Sequence, residues 1–181
     1  MTRAFLALRP PEPVLDAIEA VTTEARTSIR VARWTSRDQW HLTIQFLGDQ
    51  VEVGPVIDAL RTLDGRAAPM QLGRIGAFPR DRRAGVLWVG VTEGAEWIAA
   101  LAREVGAQLA SVGHAPEDRP FHAHVTLARL EPSQDLRGPI AAFDAATVGP
   151  AWEPTELVLY SSHTDPGGAR YEPLATFPLV H

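Results

Sequence analysis

Two short stretches, HLTIQFLG from His41 to Gly48 and HVTLAR from His124 to Arg129, place threonine two residues after histidine in runs otherwise apolar enough to be buried strands. Successive side chains of a β-strand point to opposite faces, so residues two apart share a side. In the longer run FHAHVTLARL, Phe121 to Leu130, this puts His122, His124, Thr126 and Ala128 on one face and Phe121, Ala123, Val125 and Leu127 on the other. In the first copy His41 and Thr43 project together, with Leu42 and Ile44 opposite. The two histidines are 83 residues apart. That is too far for a local motif, but it suits two similar lobes that each bring one strand to a shared cleft.

The rest of the chain fits such a frame. Arg3 to Leu8 reads as a strand stopped by Pro10, Pro11 and Pro13, after which Val14, Ile18, Val21 and Ala25 recur at helical spacing. A strand at Trp40–Leu47 precedes a short helix around Val56, Ile57 and Leu60, closed by Asp64-Gly65. Met70–Phe78 and Gly85–Val91 look like a hairpin joined by PRDRRAG. A strong helical pattern fills Ala95–Val112 and ends at Gly113, before the second motif strand. A short helix is expected near Leu136–Ala142, and strands at Ala145–Val148, Glu156–Ser161 and Tyr171–Leu179. Interspersed helices, strands and hairpin pairs predict an α+β fold rather than a doubly wound parallel sheet. We expect residues 1–181 to form a single bilobal unit.

Composition narrows the chemistry. With 17 Lys+Arg against 22 Asp+Glu the formal charge is −5, which argues against broad electrostatic binding to nucleic-acid backbone but leaves room for a local phosphate site. The chain has no cysteine, so a thiolate nucleophile, a disulfide framework and a thiolate metal site are excluded. No apolar run reaches transmembrane length, and a soluble, cytoplasmic monomer is expected. Two imidazoles flanking one reacting atom can supply a general base and a general acid near neutral pH. Threonine hydroxyls can donate to oxygens whose charge grows in the transition state. Together they suit phosphoryl chemistry without a covalent enzyme intermediate.

These motifs resemble the two-histidine (2H) phosphoesterase superfamily, and within it the RNA 2′,3′-cyclic phosphodiesterases, also called the 2′-5′ RNA ligase family. The similarity extends to TRAFLAL, AFPR, VLWVG, LVLYSS and the closing YEPLATFPL. It implies a bilobal α+β fold with pseudo-twofold symmetry whose lobes are antiparallel sheets with flanking helices, and a cleft that opens a 2′,3′-cyclic phosphate on RNA ends without metal or other cofactor. Residue by residue it assigns catalysis to His41 and His124, and phosphate contacts to Thr43, Thr126 and Arg129. It further implies a 2′-phosphate product, with His124 as base and His41 as acid. Ala123 stands where family members often have proline, which removes no functional group. Arg129 is out of phase with His124, so its role requires a bulge or twist that returns it to the motif face.

Other residues have competing readings. His122 and His124 could ligate a metal, but no Asp or Glu lies between Phe121 and Leu130 to complete a site, and a supporting or solvent-exposed His122 is preferred. Arg74, Arg80, Arg82 and Arg83 could line an entrance for RNA phosphates or solubilise a hairpin. Trp34, Trp40 and Phe46 could stack bases or fill the core, and Tyr160 and Tyr171 are similarly ambiguous. His114, His163 and His181 read as surface histidines. Three activities fit: cyclic phosphodiesterase, the reverse 2′-5′ ligation of RNA ends, and RNA-end binding without turnover. The presence of both histidines and both threonines disfavours the last.

Overall fold

The structure, a computed structural model, describes residues 1–29, 32–116, 118, 120–143, 147–165 and 168–180. The first strand, β1 (Thr2–Leu8), is buried on both faces from Ala4 to Leu8, which explains its unbroken apolar run. Helix α1 (Glu12–Ser28) starts after Pro11 and carries Pro13 in its first turn, where a missing N–H breaks no helical bond. Its buried stripe is Val14, Leu15, Ile18, Thr22 and Ala25; the Thr22 hydroxyl is satisfied by the Ile18 carbonyl at 2.7 Å. After it come β2 (Arg33–Trp34), β3 (Leu42–Val51), α2 (Val53–Leu60), β4 (Met70–Phe78), β5 (Ala84–Glu93) and α3 (Ala95–Ala110). The chain closes with β6 (His124–Gln134), α4 (Arg137–Phe143), β7 (Val148–Trp152), β8 (Glu156–Asp165) and β9 (Gly168–Pro178). Among the described residues no helix is long and apolar enough to cross a membrane.

Among the described residues these strands form one sheet in the order β7-β4-β5-β6-β3-β1-β8-β9, with β2 added beside β6, and each pairing is antiparallel. The expected hairpin is present as β4–β5. The sheet divides naturally at its centre. Strands β3-β1-β8-β9 form one half and β6-β5-β4-β7 the other, and β3 and β6 meet at a single pair, Leu42 with Val125. Helices cross over between the halves: α1 packs beside β7 and α4, while α3 packs beside β3 and α2. This is the α+β, two-lobed architecture expected from the spacing of the motifs.

Three local expectations change. The strand placed at 145–148 is found at Val148–Trp152, and Ala145 and Ala146 lie outside the described residues, as does His181. His163 belongs to β8 rather than a loop, with Nε2 3.1 Å from the Ser161 hydroxyl. Strand β2 was not expected, because two residues are too few to show periodicity. It nevertheless extends β3: Arg33 and Trp34 pair with Arg129 and Ala128, the Thr35 N–H donates to the Leu127 carbonyl at 2.9 Å, and the neighbour of β6 resumes at Leu42. Between Thr35 and His41 the chain makes a short excursion containing a single 3₁₀ turn at Arg37–Gln39, fixed by reciprocal capping between Ser36 and Gln39.

Candidate active site

The Leu42–Val125 pair fixes the geometry of both motifs. These two residues are fully buried, so their neighbours His41, Thr43, His124 and Thr126 emerge together on the opposite face. Because the pair is antiparallel, His41 lies across from Thr126 and Thr43 across from His124. The histidines are therefore diagonal about a local two-fold axis. Both strands then bulge one residue past the threonine. On β3 the extra residue is Ile44, between the pairs Thr43–Ala7 and Gln45–Leu6. On β6 it is Leu127, between the pairs Thr126–Trp88 and Ala128–Leu87.

The second bulge answers the phase problem of Arg129. Leu127 and Ala128 are both buried, so Ala128 leaves the motif face on which simple alternation placed it, and Arg129 takes that position, exposed. The first bulge does the same for Phe46, which pairs with Phe5 and is 38% exposed, with the Arg3 guanidinium 4.7 Å from its ring centre. Arg129 and Phe46 are thus counterparts in the two halves.

Each histidine is held in the same way. His41 Nδ1 is 2.6 Å from the carbonyl of Gln39 and His124 Nδ1 is 2.7 Å from the carbonyl of His122. A carbonyl can only accept, so Nδ1 carries the proton in both rings, and Nε2 is the nitrogen of the neutral ring that can accept one. His41 Nε2 is 3.0 Å from the Thr43 hydroxyl. The Gln39 carbonyl is positioned by the 3₁₀ excursion, and the Gln39 side chain is tied in turn to the Ala169 carbonyl of β9 at 2.5 Å. The pKa of His41 is lowered to about 4, chiefly by burial, and further by the positive charges of His124, Arg9 and Arg129, against the raising effect of its bond to Gln39.

The surroundings include Phe5, Phe78 and Trp88, which the sequence motifs did not single out, and Tyr171, which the sequence left open between base stacking and core. His41 is packed by Phe5 at 4.8 Å and by Tyr171, edge-on at 5.2 Å, and Tyr160 stacks on Phe5 at 5.4 Å. His124 is met by Phe78, edge-on at 5.0 Å, and by Trp88 at 6.2 Å. Gly76 makes room for Trp88: a Cβ there would come within 2.4 Å of the indole ring. Arg9 follows the Leu8–Leu42 pair and so stands opposite His41. Its pattern signal was hidden because a lone charged residue before prolines looks like the end of a strand.

The other candidates separate. Trp40 is 3% exposed and belongs to the core, its indole N–H donating to the Thr35 hydroxyl at 3.0 Å, and Trp34 packs partly buried against that core. His122 is exposed beside the site, 6.0 Å from the His124 ring and edge-on to Trp88 at 4.7 Å. Among the described residues no three His, Asp or Glu side chains gather as a metal-binding group. Arg80, Arg82 and Arg83 are exposed on the turn between β4 and β5, and Arg74 is exposed at a left-handed residue (φ 55°) within β4. His114 is partly buried, with Nδ1 3.1 Å from the Leu47 carbonyl.

Comparison with known proteins gives a consistent picture. A family model described as LigT-like phosphoesterase matches residues 8–88 and again 89–171, one motif in each segment. The chain is 32% identical over 158 residues to an RNA 2′,3′-cyclic phosphodiesterase of Escherichia coli, covering 82% of this chain and 80% of that protein. A protein of the same name from Geobacillus stearothermophilus is 27% identical over 180 residues, 97% of this chain; the chain spans only 57% of that relative's length. The solved structure of TT0787 of Thermus thermophilus superposes with a TM-score of 0.83 at 26% identity, covering 98% of this chain and 97% of that one.

Proposed function

The chain belongs to the LigT-like phosphoesterase family, and on that premise we propose that it hydrolyses a terminal 2′,3′-cyclic phosphate on RNA to a 2′-phosphate, using His41 and His124 and no metal. One observation carries the reading. Both imidazoles donate Nδ1–H to the carbonyl two residues back, which makes Nε2 the proton-accepting nitrogen of each neutral ring, and the pairing of the two strands relates the two rings by a local two-fold axis, as proton transfer on opposite sides of one phosphorus requires.

In the proposed reaction one Nε2 takes a proton from water as its oxygen bonds to phosphorus. The P–O3′ bond breaks in line, and O3′ takes a proton from the other Nε2, leaving the phosphate on O2′. Thr43, Thr126 and Arg129 hold the non-bridging oxygens as charge builds on them. The working form of the pair carries one proton. Because His41 is neutral in the free protein down to about pH 4, its resting form is that of a base. The assignment implied by family resemblance, His124 as base and His41 as acid, works through the other singly protonated form, in which His41 carries the proton.

The decisive experiment incubates purified protein with an oligoribonucleotide ending in a 2′,3′-cyclic phosphate in the presence of EDTA, then identifies the terminal phosphate. A 2′-phosphate formed at an undiminished rate is the expected result. Activity lost on chelation and restored by zinc or manganese would instead promote His122 and His124 to metal ligands. A product that is wholly 3′-phosphate would overturn the regiochemistry.

A further inference from the structure

We propose that Arg33 binds the phosphate on the 5′ side of the terminal nucleoside, making the end of an oligonucleotide a better substrate than a free cyclic nucleotide. The inference rests on the proposed activity and goes beyond it to substrate length.

The argument begins with register. Arg33 lies directly across β2 and β6 from Arg129, so the two share a face, and that face is the one the Leu127 bulge turns toward the histidines. The Arg129 charge acts on both His41 and Tyr171, in keeping with its place on that face. Directly opposed residues of an antiparallel pair have Cβ atoms about 4.5–5.5 Å apart, and like charges so placed repel. Both arginines are exposed, and among the described residues neither has a carboxylate partner, in a chain with an excess of acidic groups.

The excess is close at hand. Arg37, four residues along the same connection, is held by Glu12, Asp16 and Glu19 of α1, at 2.6, 2.7 and 3.0 Å. The fold neutralises that arginine three times over and leaves the Arg33–Arg129 pair open. Two guanidiniums side by side match two phosphates of one strand. If Arg129 serves the cyclic phosphate, a second phosphate can come only from the 5′ side, since a 2′,3′-cyclic end has no nucleotide beyond it.

The test compares kcat/KM for a nucleoside 2′,3′-cyclic phosphate and for a dinucleotide ending in the same group, in the wild type, Arg33→Gln and Arg33→Lys. Both substrates are measured on one preparation, so a loss of folded protein cancels in the ratio. The wild type should favour the dinucleotide, and Arg33→Gln should lower that preference about 10-fold, with Arg33→Lys restoring much of it. The logarithmic salt slope for the dinucleotide should become shallower by about 0.7 in Arg33→Gln, the share of one phosphate contact on a single strand. An unchanged ratio overturns the inference, as does a ratio that falls in Arg9→Gln in place of Arg33→Gln. Should the wild type turn over neither substrate, the activity reading fails and binding decides the inference separately. A dinucleotide 2′-phosphate must then bind the wild type more tightly than a nucleoside 2′-phosphate, with the advantage lost in Arg33→Gln; equal affinities would overturn it.

Discussion

The two halves of the site share one backbone device and differ in what surrounds it. In each, a histidine donates to the carbonyl two residues back, a threonine follows, and a bulge brings the third residue after the threonine onto the same face. That third residue is Phe46 in the first half and Arg129 in the second. Across from the histidine stands Arg9 in the first half and Gly90 in the second; across from the threonine stand Ala7 and Trp88. His41 is partly buried among rings and feels the charges of Arg9 and Arg129, whereas His124, also partly buried, lies against Phe78 and Trp88 beside the exposed His122. Symmetry presents the histidine twice, and the surroundings of the first copy lower the pKa of His41 to about 4, so that on the proposed mechanism it starts neutral. General acid–base catalysis needs the pair to be unequal.

The strongest way to break the comparison is to remove one histidine at a time. His41→Ala and His124→Ala should each lower kcat by about 10²–10⁴-fold, and Thr43→Ala and Thr126→Ala by less. Wild-type turnover by either histidine variant, shown to be folded by circular dichroism, would sink the two-histidine mechanism. A substrate whose 3′ oxygen is replaced by sulfur sharpens the test, because a thiolate leaves without being protonated. It should rescue the variant that lacks the acid and not the one that lacks the base. Rescue of His41→Ala supports the assignment implied by resemblance; rescue of His124→Ala reverses it.

A pH profile probes the pair as a unit. On the proposed mechanism only the singly protonated pair is active, so kcat/KM should fall at both low and high pH, with limbs that belong to the coupled pair. The acid limb should lie near pH 4, where His41 becomes charged, and should move up when Arg9 or Arg129 is replaced by Gln. A flat profile with chemistry limiting would count against paired histidines.

Much of this was legible in the sequence, and what was not has identifiable physical causes. The motif strands, the helical stripes of α1 and α3 and the β4–β5 hairpin follow from periodicity, and family resemblance pointed to His41 and His124. Periodicity fails where the backbone departs from it. The bulge at Leu127 reverses Ala128 and Arg129, and the bulge at Ile44 sends Gln45 to the buried side, where its amide donates to the His114 carbonyl at 2.8 Å. The aromatic residues about the histidines come from β1, β4, β5 and β9, brought together by strand order alone, which no local pattern encodes. The same is true of Arg9 and Arg33.

Burial of His41 also has a stability cost with a definite sign. Its pKa falls from 6.5 unfolded to about 4 folded. Between these values the unfolded chain binds more protons, so stability is lost as pH falls through that window. The loss approaches the order of 3 kcal/mol at about pH 4, by the usual conversion of a pKa difference. Urea titrations of the wild type and His41→Gln at pH 7 and pH 4 should show the variant losing less. Equal losses would mean that His41 is charged in the folded protein well above pH 4.

The smallest expected effect concerns the joint between the halves. The Thr35 hydroxyl lies 2.8 Å from the Thr126 carbonyl and 2.9 Å from the Leu127 carbonyl, at the bulge that aims Arg129. It also accepts the indole N–H of Trp40, the residue before His41. One side chain thus ties the start of the first motif to the bend of the second. Thr35→Val keeps the shape and the backbone bond to Leu127 but strands the Trp40 N–H in the core, which should cost about 1–3 kcal/mol of stability. Trp40→Phe leaves the threonine hydroxyl its carbonyl partners and removes only the indole's contribution. In the double variant no buried indole donor remains unpaired, so its destabilisation should be smaller than the two single effects added together. Additive losses in urea denaturation would show that the hydroxyl does not couple the two halves, and that the backbone pairing of β2 with β6 alone holds the bulge in place.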